Sequence, residues 1–400
     1  MSSMHISIDR SAGEHAVRFE LEHKGQQYAV RYASDDVALA PRPEAAVAGL
    51  LLVAMAAGKD IHVDAPIDPT FHGHLETVQD VYTTWSPSLS RTQVTADGER
   101  QAPESGDATA ENTIPRDPIP KNPTSGDAAA PGRSAMFFSG GVDSFYTFLK
   151  RREEIDALVF VHGFDIDLDD TSLRQTVSRR LREVADAFDT PLIEVETTLR
   201  GVTERKRMVP EFHNWEISHG SALASVAHLL SDQFDRIYIP ATHTYKRLYP
   251  FGSHPLLDPL WSSSDLSVIC DGCEANRIDK CALIGQHEPA LNALRVCWRN
   301  KDKAYNCGRC EKCMRTMLIL KAVGAWEACN SFERQLTPRR VAGIWIRYAR
   351  WERYYKEVYR LLTENDTQPE LQRAIKAALY YSRAKRTARS MYQWTLGRIT

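Results

Sequence analysis

The sequence predicts an α/β protein built on a doubly wound parallel sheet that carries a zinc knuckle. Between residues 134 and 240, short apolar segments alternate with segments of helical periodicity, the pattern of successive β–α–β units. The first apolar segment stops at a glycine turn that opens a helix, as parallel sheets with ligand sites often begin. Further along, four cysteines between residues 297 and 313 have the spacing of a metal-binding knuckle.

Composition and charge exclude several classes of protein. The chain has 400 residues, of which 43% are apolar, enough for two or three domains with ordinary cores. A net charge of -2 argues against a protein whose main task is to coat nucleic acid. No apolar run is long enough to span a membrane, and the segment after Met1 lacks the apolar core of a signal peptide. We therefore expect a soluble, cytoplasmic protein without a membrane partner.

The N-terminal part predicts a small α+β domain over residues 1–96, of unknown role. Alternating residues in 5–32 predict an antiparallel hairpin, and apolar periodicity predicts helices over 45–57 and 71–85. Residues 97–133 then consist mainly of Asp, Glu, Pro, Gly, Ala, Thr and Asn, which bury too little surface to offset their ordering entropy. This segment is predicted to be a disordered linker.

A second domain is predicted over residues 134–330. Its strands and helices alternate, so the carboxyl ends of its strands should meet around one crevice, where ligands of parallel sheets bind. The predicted strands cover residues 134–138, 157–162, 191–196 and 236–240, and the predicted helices begin at Phe145, near Leu173 and at Trp215, the last ending near Phe234.

The glycine turn after the first strand has the features of a phosphate-binding loop. Two glycines let the backbone pass close to an anion, and the N–H groups of the first helical turn point towards it. Two serines add hydroxyl donors, and a carboxylate is available to hold Mg2+ or to orient the loop. The alternative is an ordinary strand-to-helix turn with serine as the N-cap. The predicted nucleotide-binding residues of this loop are Ser139, Gly140, Gly141, Val142, Asp143 and Ser144.

A long loop after the fourth strand is a candidate for substrate recognition. It is rich in proline, glycine and aromatic residues, and long loops above a parallel sheet commonly carry specificity. Lys246 and Arg247 are candidates to neutralise an anionic leaving group, and His254 and Asp258 are candidates to face an acceptor. The competing interpretation is that Lys246 and Arg247 are solvated loop charges.

The cysteine-rich segment predicts a closed metal site. Cys307, Cys310 and Cys313 form two consecutive C-x2-C steps, and Cys297 lies ten residues upstream. Four soft thiolates suit Zn2+, and a site filled by protein ligands is structural rather than catalytic. An iron–sulfur cluster can use the same ligands, so the sequence leaves both possibilities open.

The sequence Ser-Gly-Gly-Val-Asp-Ser at 139–144 resembles the signature of the PP-loop ATP pyrophosphatases, a superfamily of adenine nucleotide α-hydrolase-like, HUP-type proteins that split ATP into AMP and pyrophosphate. Together with the downstream C-x9-C-G-x-C-x2-C pattern, it resembles the 7-cyano-7-deazaguanine synthase family over residues 134–325. That family uses ATP and ammonia to turn a carboxylate into a nitrile.

The resemblance implies a ligase or synthase with ATP, Mg2+ and Zn2+ as cofactors. A small-molecule carboxylate or amide oxygen would be adenylated, and a nitrogen donor would displace AMP. It implies that His162 and Gly163 line the adenine pocket, mostly through their backbone, and that Cys297, Cys307, Cys310 and Cys313 hold zinc. We assign catalytic roles to Asp143, Ser144, Lys246 and Arg247. The segment 249–254 does not match the family's deazapurine-binding residues, so a different substrate is expected.

Two other functions remain as alternatives. Cys270 and Cys273 form a C-x2-C pair, the arrangement expected of an enzyme that thiolates an adenylated nucleobase or small molecule, although buried, incidental cysteines are the simpler interpretation. Residues 331–400 carry 15 Lys+Arg against 6 Asp+Glu, with interleaved aromatic residues at helical spacing. This basic helical extension suits RNA contact in a nucleotide-sensing or RNA-binding module. The favoured interpretation is that its aromatic face packs on the core or on a second subunit, as in a homodimer.

Overall fold

One mostly parallel sheet contains the ten strands of the described residues. The computed structural model describes residues 3–9, 13–100, 132–205, 208–209, 214–300 and 303–396. The order of strands across the sheet is β10-β9-β6-β7-β8-β3-β2-β1-β4-β5. The strands are β1 (Met4–Asp9), β2 (Ala16–His23), β3 (Gln26–Ala33), β4 (Ile61–Val63), β5 (Val94–Ala96), β6 (Ser134–Phe137), β7 (Ala157–His162), β8 (Leu192–Thr197), β9 (Arg236–Pro240) and β10 (Ser267–Asp271).

The five strands from β6 to β10 are parallel to their neighbours within this group. Counted from β6 along the chain, their order is 3-2-1-4-5, so the direction of winding reverses at β6. Strand β7 is buried along its whole length, as expected of a central parallel strand. The alternation of strands and helices predicted for residues 134–240 is therefore present, and β10 adds a strand that the sequence did not suggest.

Contacts between residues divide the chain into two compact units. The first comprises Met1–Ser139 and Lys150–Glu274, and contains the whole sheet; the second comprises Gly140–Leu149 and Ala275–Thr400. The helices are α1 (Pro43–Ala57), α2 (Pro69–Trp85), α3 (Val142–Lys150), α4 (Thr171–Ala187), α5 (Trp215–Leu229), α6 (Arg277–Ile284), α7 (Glu288–Ala293), α8 (Glu311–Ala322), α9 (Pro338–Ala342), α10 (Glu352–Glu364) and α11 (Pro369–Leu396).

The N-terminal strands continue the same sheet rather than forming a sheet of their own, which differs from the separate domain predicted over residues 1–96. Strand β3 pairs antiparallel with β8, so that Tyr32 lies opposite Thr197. Helix α1 is apolar on nearly all sides and packs against α5. The Tyr32 hydroxyl lies 2.7 Å from Ser225 Oγ, which donates to the carbonyl of Ala45. A helix that is apolar all round has to be buried by more than its own hairpin.

Most of the predicted linker lies outside the described residues. Residues 101–131 are not described, but residues 97–100 belong to the first unit. Arg100 forms ion pairs with Asp265 at 2.8 Å and with Asp68 at 3.2 Å. The start of the predicted linker is therefore held by buried and half-buried carboxylates, a contact that composition alone does not reveal.

His228 is buried in the first unit and should make its stability sensitive to mild acid. Its Nε2 lies 2.8 Å from the Trp261 carbonyl, and burial lowers the pKa of the ring to about 4. The neutral ring is favoured in the folded state, so its contribution is present above the unfolded pKa of 6.5 and is lost as pH falls towards 4. Between pH 7 and pH 5, we expect this residue to remove about 2 kcal/mol from the free energy of unfolding.

The measurement is urea unfolding at pH 7 and pH 5 for the wild type and for His228→Gln. Glutamine keeps an N–H donor for the Trp261 carbonyl but does not titrate. The wild type should lose more stability than the variant over this interval. Equal losses in the two proteins would contradict the prediction.

In the second unit, helices of the C-terminal part pack their aromatic and aliphatic residues inwards. Ile344, Tyr355 and Leu362 are buried, as the packing interpretation expects, whereas Tyr348 is exposed. The Tyr355 hydroxyl donates to Glu311 of α8 at 3.0 Å. Glu352 accepts from Arg383 at 2.7 Å, tying α10 to α11. Among the described residues, no helix is long and apolar enough to cross a membrane.

Candidate metal centre and phosphate-binding loop

Four cysteines of the second unit converge on one point. The sulfur atoms of Cys297, Cys307, Cys310 and Cys313 all lie within 4.8 Å of one another, and all four residues are buried. The Cys307 and Cys313 sulfurs are 3.9 Å apart. A tetrahedral Zn–S4 centre with bonds near 2.3 Å requires sulfur–sulfur distances of about 3.8 Å. The predicted ligand set is therefore brought together, at distances that fit a metal such as zinc.

The backbone around the cysteines is shaped for thiolate ligands. The amide of Cys310 donates to the Cys307 sulfur at 3.4 Å, and the amide of Cys313 donates to the Cys310 sulfur at 3.4 Å. Cys310 is also the N-cap of α8, so the positive end of that helix faces the site. Gly308 adopts φ +59°, which lets the chain turn between Cys307 and Cys310.

A buried asparagine connects the distant fourth ligand to this knuckle. Asn306 Oδ1 accepts from the amides of Val296 at 2.9 Å and Cys297 at 3.2 Å. Its Nδ2 donates to the carbonyls of Leu294 and Ser331. Asn306 immediately precedes Cys307, so its side chain fixes both ends of the nine-residue segment between Cys297 and Cys307.

Hydrogen bonds among the sulfurs separate the pKa values of the thiols. Hydrogen bonds from Cys310 and Cys313 lower the pKa of the Cys297 thiol far below its usual range. The bond with Cys297 in turn raises the pKa of Cys310 to about 12 and raises the pKa of Cys313. A bound metal ion would hold all four sulfurs as thiolates, since cysteine ligands are deprotonated. Because all four positions are protein side chains, the cluster suits a structural metal.

The loop at residues 140–144 belongs to the same unit and has the predicted local form. Gly140 adopts φ +68°, and α3 starts two residues later. The Phe145 amide donates to the Gly141 carbonyl at 2.9 Å, and the Ser144 hydroxyl donates to the same carbonyl at 3.1 Å. The start of α3 directs the N–H groups of its first turn towards the loop, which is the general arrangement for anion binding at a helix start.

Asp143 carries two ion pairs with largely buried cations. Its carboxylate oxygens lie 3.1 Å from Arg277 Nη2 and 3.0 Å from Lys280 Nζ, and the side chains of these cations are 7% and 2% exposed. Burial alone would raise the pKa of Asp143, but the charges of Arg277, Lys280 and Lys312 hold it well below its usual range. Of the two roles open to Asp143, orienting the loop fits these contacts. A Mg2+ ion does not fit at this carboxylate, because a cation already pairs with each oxygen.

Cations outnumber the carboxylate around this loop. Lys312 lies within the cysteine knuckle, and the backbone amide of Arg295, two residues before Cys297, donates to the Gly140 carbonyl at 2.7 Å. The Arg295 side chain is buried, and its Nε has no hydrogen-bond partner among the described residues. We call Arg277, Lys280 and Lys312, whose charges all act on Asp143, the cation cluster. Its excess of positive charge favours an anion at the loop.

The sequence offered little sign of the cation cluster. Arg277 and Lys280 lie one turn apart on α6, after an Asn276 capping box, a pattern shared by many solvent-exposed helices. Arg277 and Lys280 differ from ordinary surface charges because their side chains are buried, and only the fold shows that burial.

The remaining predicted site residues lie in the first unit. Ser139 ends that segment of chain. His162 is buried, with its Nε2 2.7 Å from Glu194 Oε2 and its Nδ1 accepting from Arg174 Nε at 3.3 Å. These bonds engage both ring nitrogens. Because these bonds occupy the His162 side chain, its backbone is what remains available for the predicted nucleotide contact.

Gly163 has a structural requirement of its own. It adopts φ +96°, and a Cβ atom there would lie 2.0 Å from the Thr197 carbonyl oxygen. We expect Gly163→Ala to lower the free energy of unfolding by about 2 kcal/mol or more, since it combines backbone strain with a clash. Gly25→Ala is the matched control, because Gly25 has φ +73° with no atom within 4 Å of a new Cβ. Denaturant unfolding of both variants measures the difference, and equal losses would contradict the prediction.

Lys246 and Arg247 are exposed on a short 3-10 helix, Tyr245–Arg247. His254 and Asp258 are buried instead. Asp258 accepts from the Ser253 hydroxyl at 2.8 Å and from the His254 amide at 3.0 Å. Asp258 of the long loop therefore points into the protein interior. This differs from the prediction that it would face an acceptor.

The site brings together the cysteine ligands, the loop residues from Gly140 to Ser144 and a set of cations. It combines a buried four-cysteine cluster that could hold a metal such as zinc with a helix start beside buried cations. Comparison of the chain with protein-family models, with curated proteins and with solved structures found no match.

Proposed function

We propose that this protein is an ATP-dependent ligase or synthase of the PP-loop type, which adenylates a carboxylate or amide oxygen and passes the product to a nitrogen nucleophile. The observation that carries the proposal is the loop at 140–144, whose Asp143 orients two largely buried cations beside a helix start. A nucleotide phosphate carries the negative charge that two buried cations beside a helix start favour. The order 3-2-1-4-5 of the parallel strands supports a doubly wound sheet in the first unit.

In this reaction the loop backbone and the cation cluster hold the phosphates of ATP. The substrate oxygen attacks the α-phosphorus, the bond to the bridging oxygen breaks, and pyrophosphate leaves with the electron pair. Arg277 and Lys280 stabilise the charge that develops on the leaving group. A nitrogen nucleophile then attacks the adenylated carbon and displaces AMP. Asp143 acts before the chemistry, by fixing both cations where the phosphates arrive.

Zinc at the four cysteines would supply rigidity rather than chemistry. It would fix α8 and the segment before Cys297, and with them Lys312 of the cation cluster and the Arg295 amide that donates to Gly140. Loss of the metal should therefore weaken nucleotide binding without any step of the reaction passing through the ion.

The test is the identity of the products formed from ATP. Metal-replete protein is incubated with ATP, Mg2+, an ammonium salt and a panel of carboxylic acids, and the phosphorus-containing products are resolved by NMR. AMP and pyrophosphate should appear in equal amounts when an acceptor is present, and the α,β-methylene analogue of ATP should give neither. Formation of ADP and inorganic phosphate would contradict the proposal.

A further inference from the structure

A pair of cysteines in the first unit lies outside the metal centre. Cys270 lies in the edge strand β10, next to its last residue. Cys273 follows after a turn in which Gly272 adopts φ +97°. Their sulfur atoms are 3.9 Å apart, and both residues are reduced. Cys270 is partly exposed, whereas Cys273 is 1% exposed. One accessible and one buried thiol at this distance is the arrangement of an attacking and a resolving cysteine.

A buried carboxyl group lies near the accessible thiol. Asp258 is fully buried, and its charge acts on the Cys270 side chain. Burial raises the pKa of Asp258 to about 7, against the lowering effect of its bonds from His254 and Ser253. The bond with Cys273 and burial raise the pKa of Cys270, so this thiol stays protonated at neutral pH. A protonated thiol needs a base in order to react, and Asp258 is a carboxylate close enough to influence it.

We propose that Cys270 and Cys273 form a reversible dithiol–disulfide site that reacts with low-molecular-weight disulfides, with Asp258 as the proton acceptor for Cys270. This activity is separate from nucleotide chemistry and does not depend on the proposed function. The sequence pattern C-x2-C raised sulfur chemistry at this position, and the 3.9 Å separation of one accessible and one buried sulfur identifies dithiol exchange as the chemistry it suits.

In the first step of the exchange, Asp258 takes the proton of Cys270, and the Cys270 sulfur attacks a disulfide R–S–S–R. The S–S bond breaks, and one R–S− leaves and is protonated. The Cys273 thiol then attacks the Cys270 sulfur of the mixed disulfide, releasing the second RSH. The two cysteines lose two electrons and two protons, and the external disulfide gains them as two thiols.

The experiment uses the full chain with its metal, equilibrated with oxidised glutathione, then alkylated, digested and analysed by mass spectrometry. We expect the Cys270–Cys273 peptide to lose two hydrogens and to resist alkylation until a dithiol reductant is added. Zinc content measured in parallel identifies any reaction at the four-cysteine centre. Persistent glutathionylation of Cys270 in the wild type, or two thiols that stay open to alkylation, would overturn the proposal.

Two variants test the separate roles of the residues. Cys273→Ala should stop at the mixed disulfide on Cys270, since no resolving thiol remains. Asp258→Asn is isosteric and should slow the modification of Cys270 by about tenfold or more. A thermal unfolding curve confirms that each variant is folded, and Cys273→Ser is the substitute if the alanine variant is not. An unchanged rate in a folded Asp258→Asn protein would remove Asp258 from the mechanism.

Discussion

Cys310→Ser is expected to unfold the second unit of the protein at ordinary temperature. Structural zinc contributes apparent binding free energies of about 10 to 16 kcal/mol in zinc-finger peptides, as much as the whole stability of a typical domain. Cys310 is one of the four predicted ligands, the N-cap of α8 and an acceptor for the Cys313 amide. Its loss removes a coordinate bond and weakens the start of the helix that carries Lys312. Removal of the metal with a strong chelator should have the same effect.

The measurement combines thermal unfolding with metal content for the variant and for a matched control. Cys329→Ser changes another buried cysteine of the same unit that lies outside the ligand set, with its thiol donating to the Leu291 carbonyl at 3.5 Å. The control should keep one metal ion per chain and most of its stability. A Cys310→Ser protein that unfolds like the wild type would show that the cysteines are not a structural metal site.

Asp143→Asn is expected to lower the free energy of unfolding by about 3 kcal/mol, because it leaves the charges of Arg277 and Lys280 buried without their carboxylate. The depressed pKa of Asp143 has the same cause. Its stabilising contribution is present above the unfolded value of 3.8 and is lost as pH falls below that value. At neutral pH the full effect of the substitution should therefore be observed.

Denaturant unfolding measures this effect against Glu364→Gln. Glu364 pairs with Arg360 at 3.3 Å on α10, and both side chains are more than half exposed. An exposed pair contributes little, so this control should change stability by about 0.5 kcal/mol or less. Similar small losses in both variants would mean that the Asp143 cluster is solvated and does not preorganise the loop.

Local patterns predicted much of the secondary structure and the metal ligands. The spacing of Cys307, Cys310 and Cys313 is a property of a few adjacent residues, so it can be recognised without the fold. The same holds for the glycine turn before α3, where two glycines and a serine determine the local chain path. Helix ends were less accurate: the helix starting at Trp215 was predicted to reach Phe234 but ends at Leu229.

Features that depend on distant pairing were not predictable from local patterns. Tyr32 lies opposite Thr197 in the sheet, and nothing in either segment specifies the other as its partner. For the same reason the continuity of the N-terminal strands with the parallel strands was missed. Strand β10 was missed because its side chains mix polar and apolar residues. The roles of Arg277 and Lys280 follow from burial against Asp143, which no charge pattern along α6 reveals.

We propose above all that the loop at 140–144 and its buried cations bind the phosphates of ATP. Calorimetric titration of ATP into the metal-replete protein tests this binding most directly, with Lys280→Met compared with Lys356→Met. The first variant removes a buried cation while Arg277 still pairs with Asp143; the second makes the same change at an exposed lysine beside Glu352. Lys280→Met should weaken ATP binding by about tenfold or more, and Lys356→Met should leave it unchanged. Equal affinity in all three proteins, or no ATP binding by the wild type, would contradict the account.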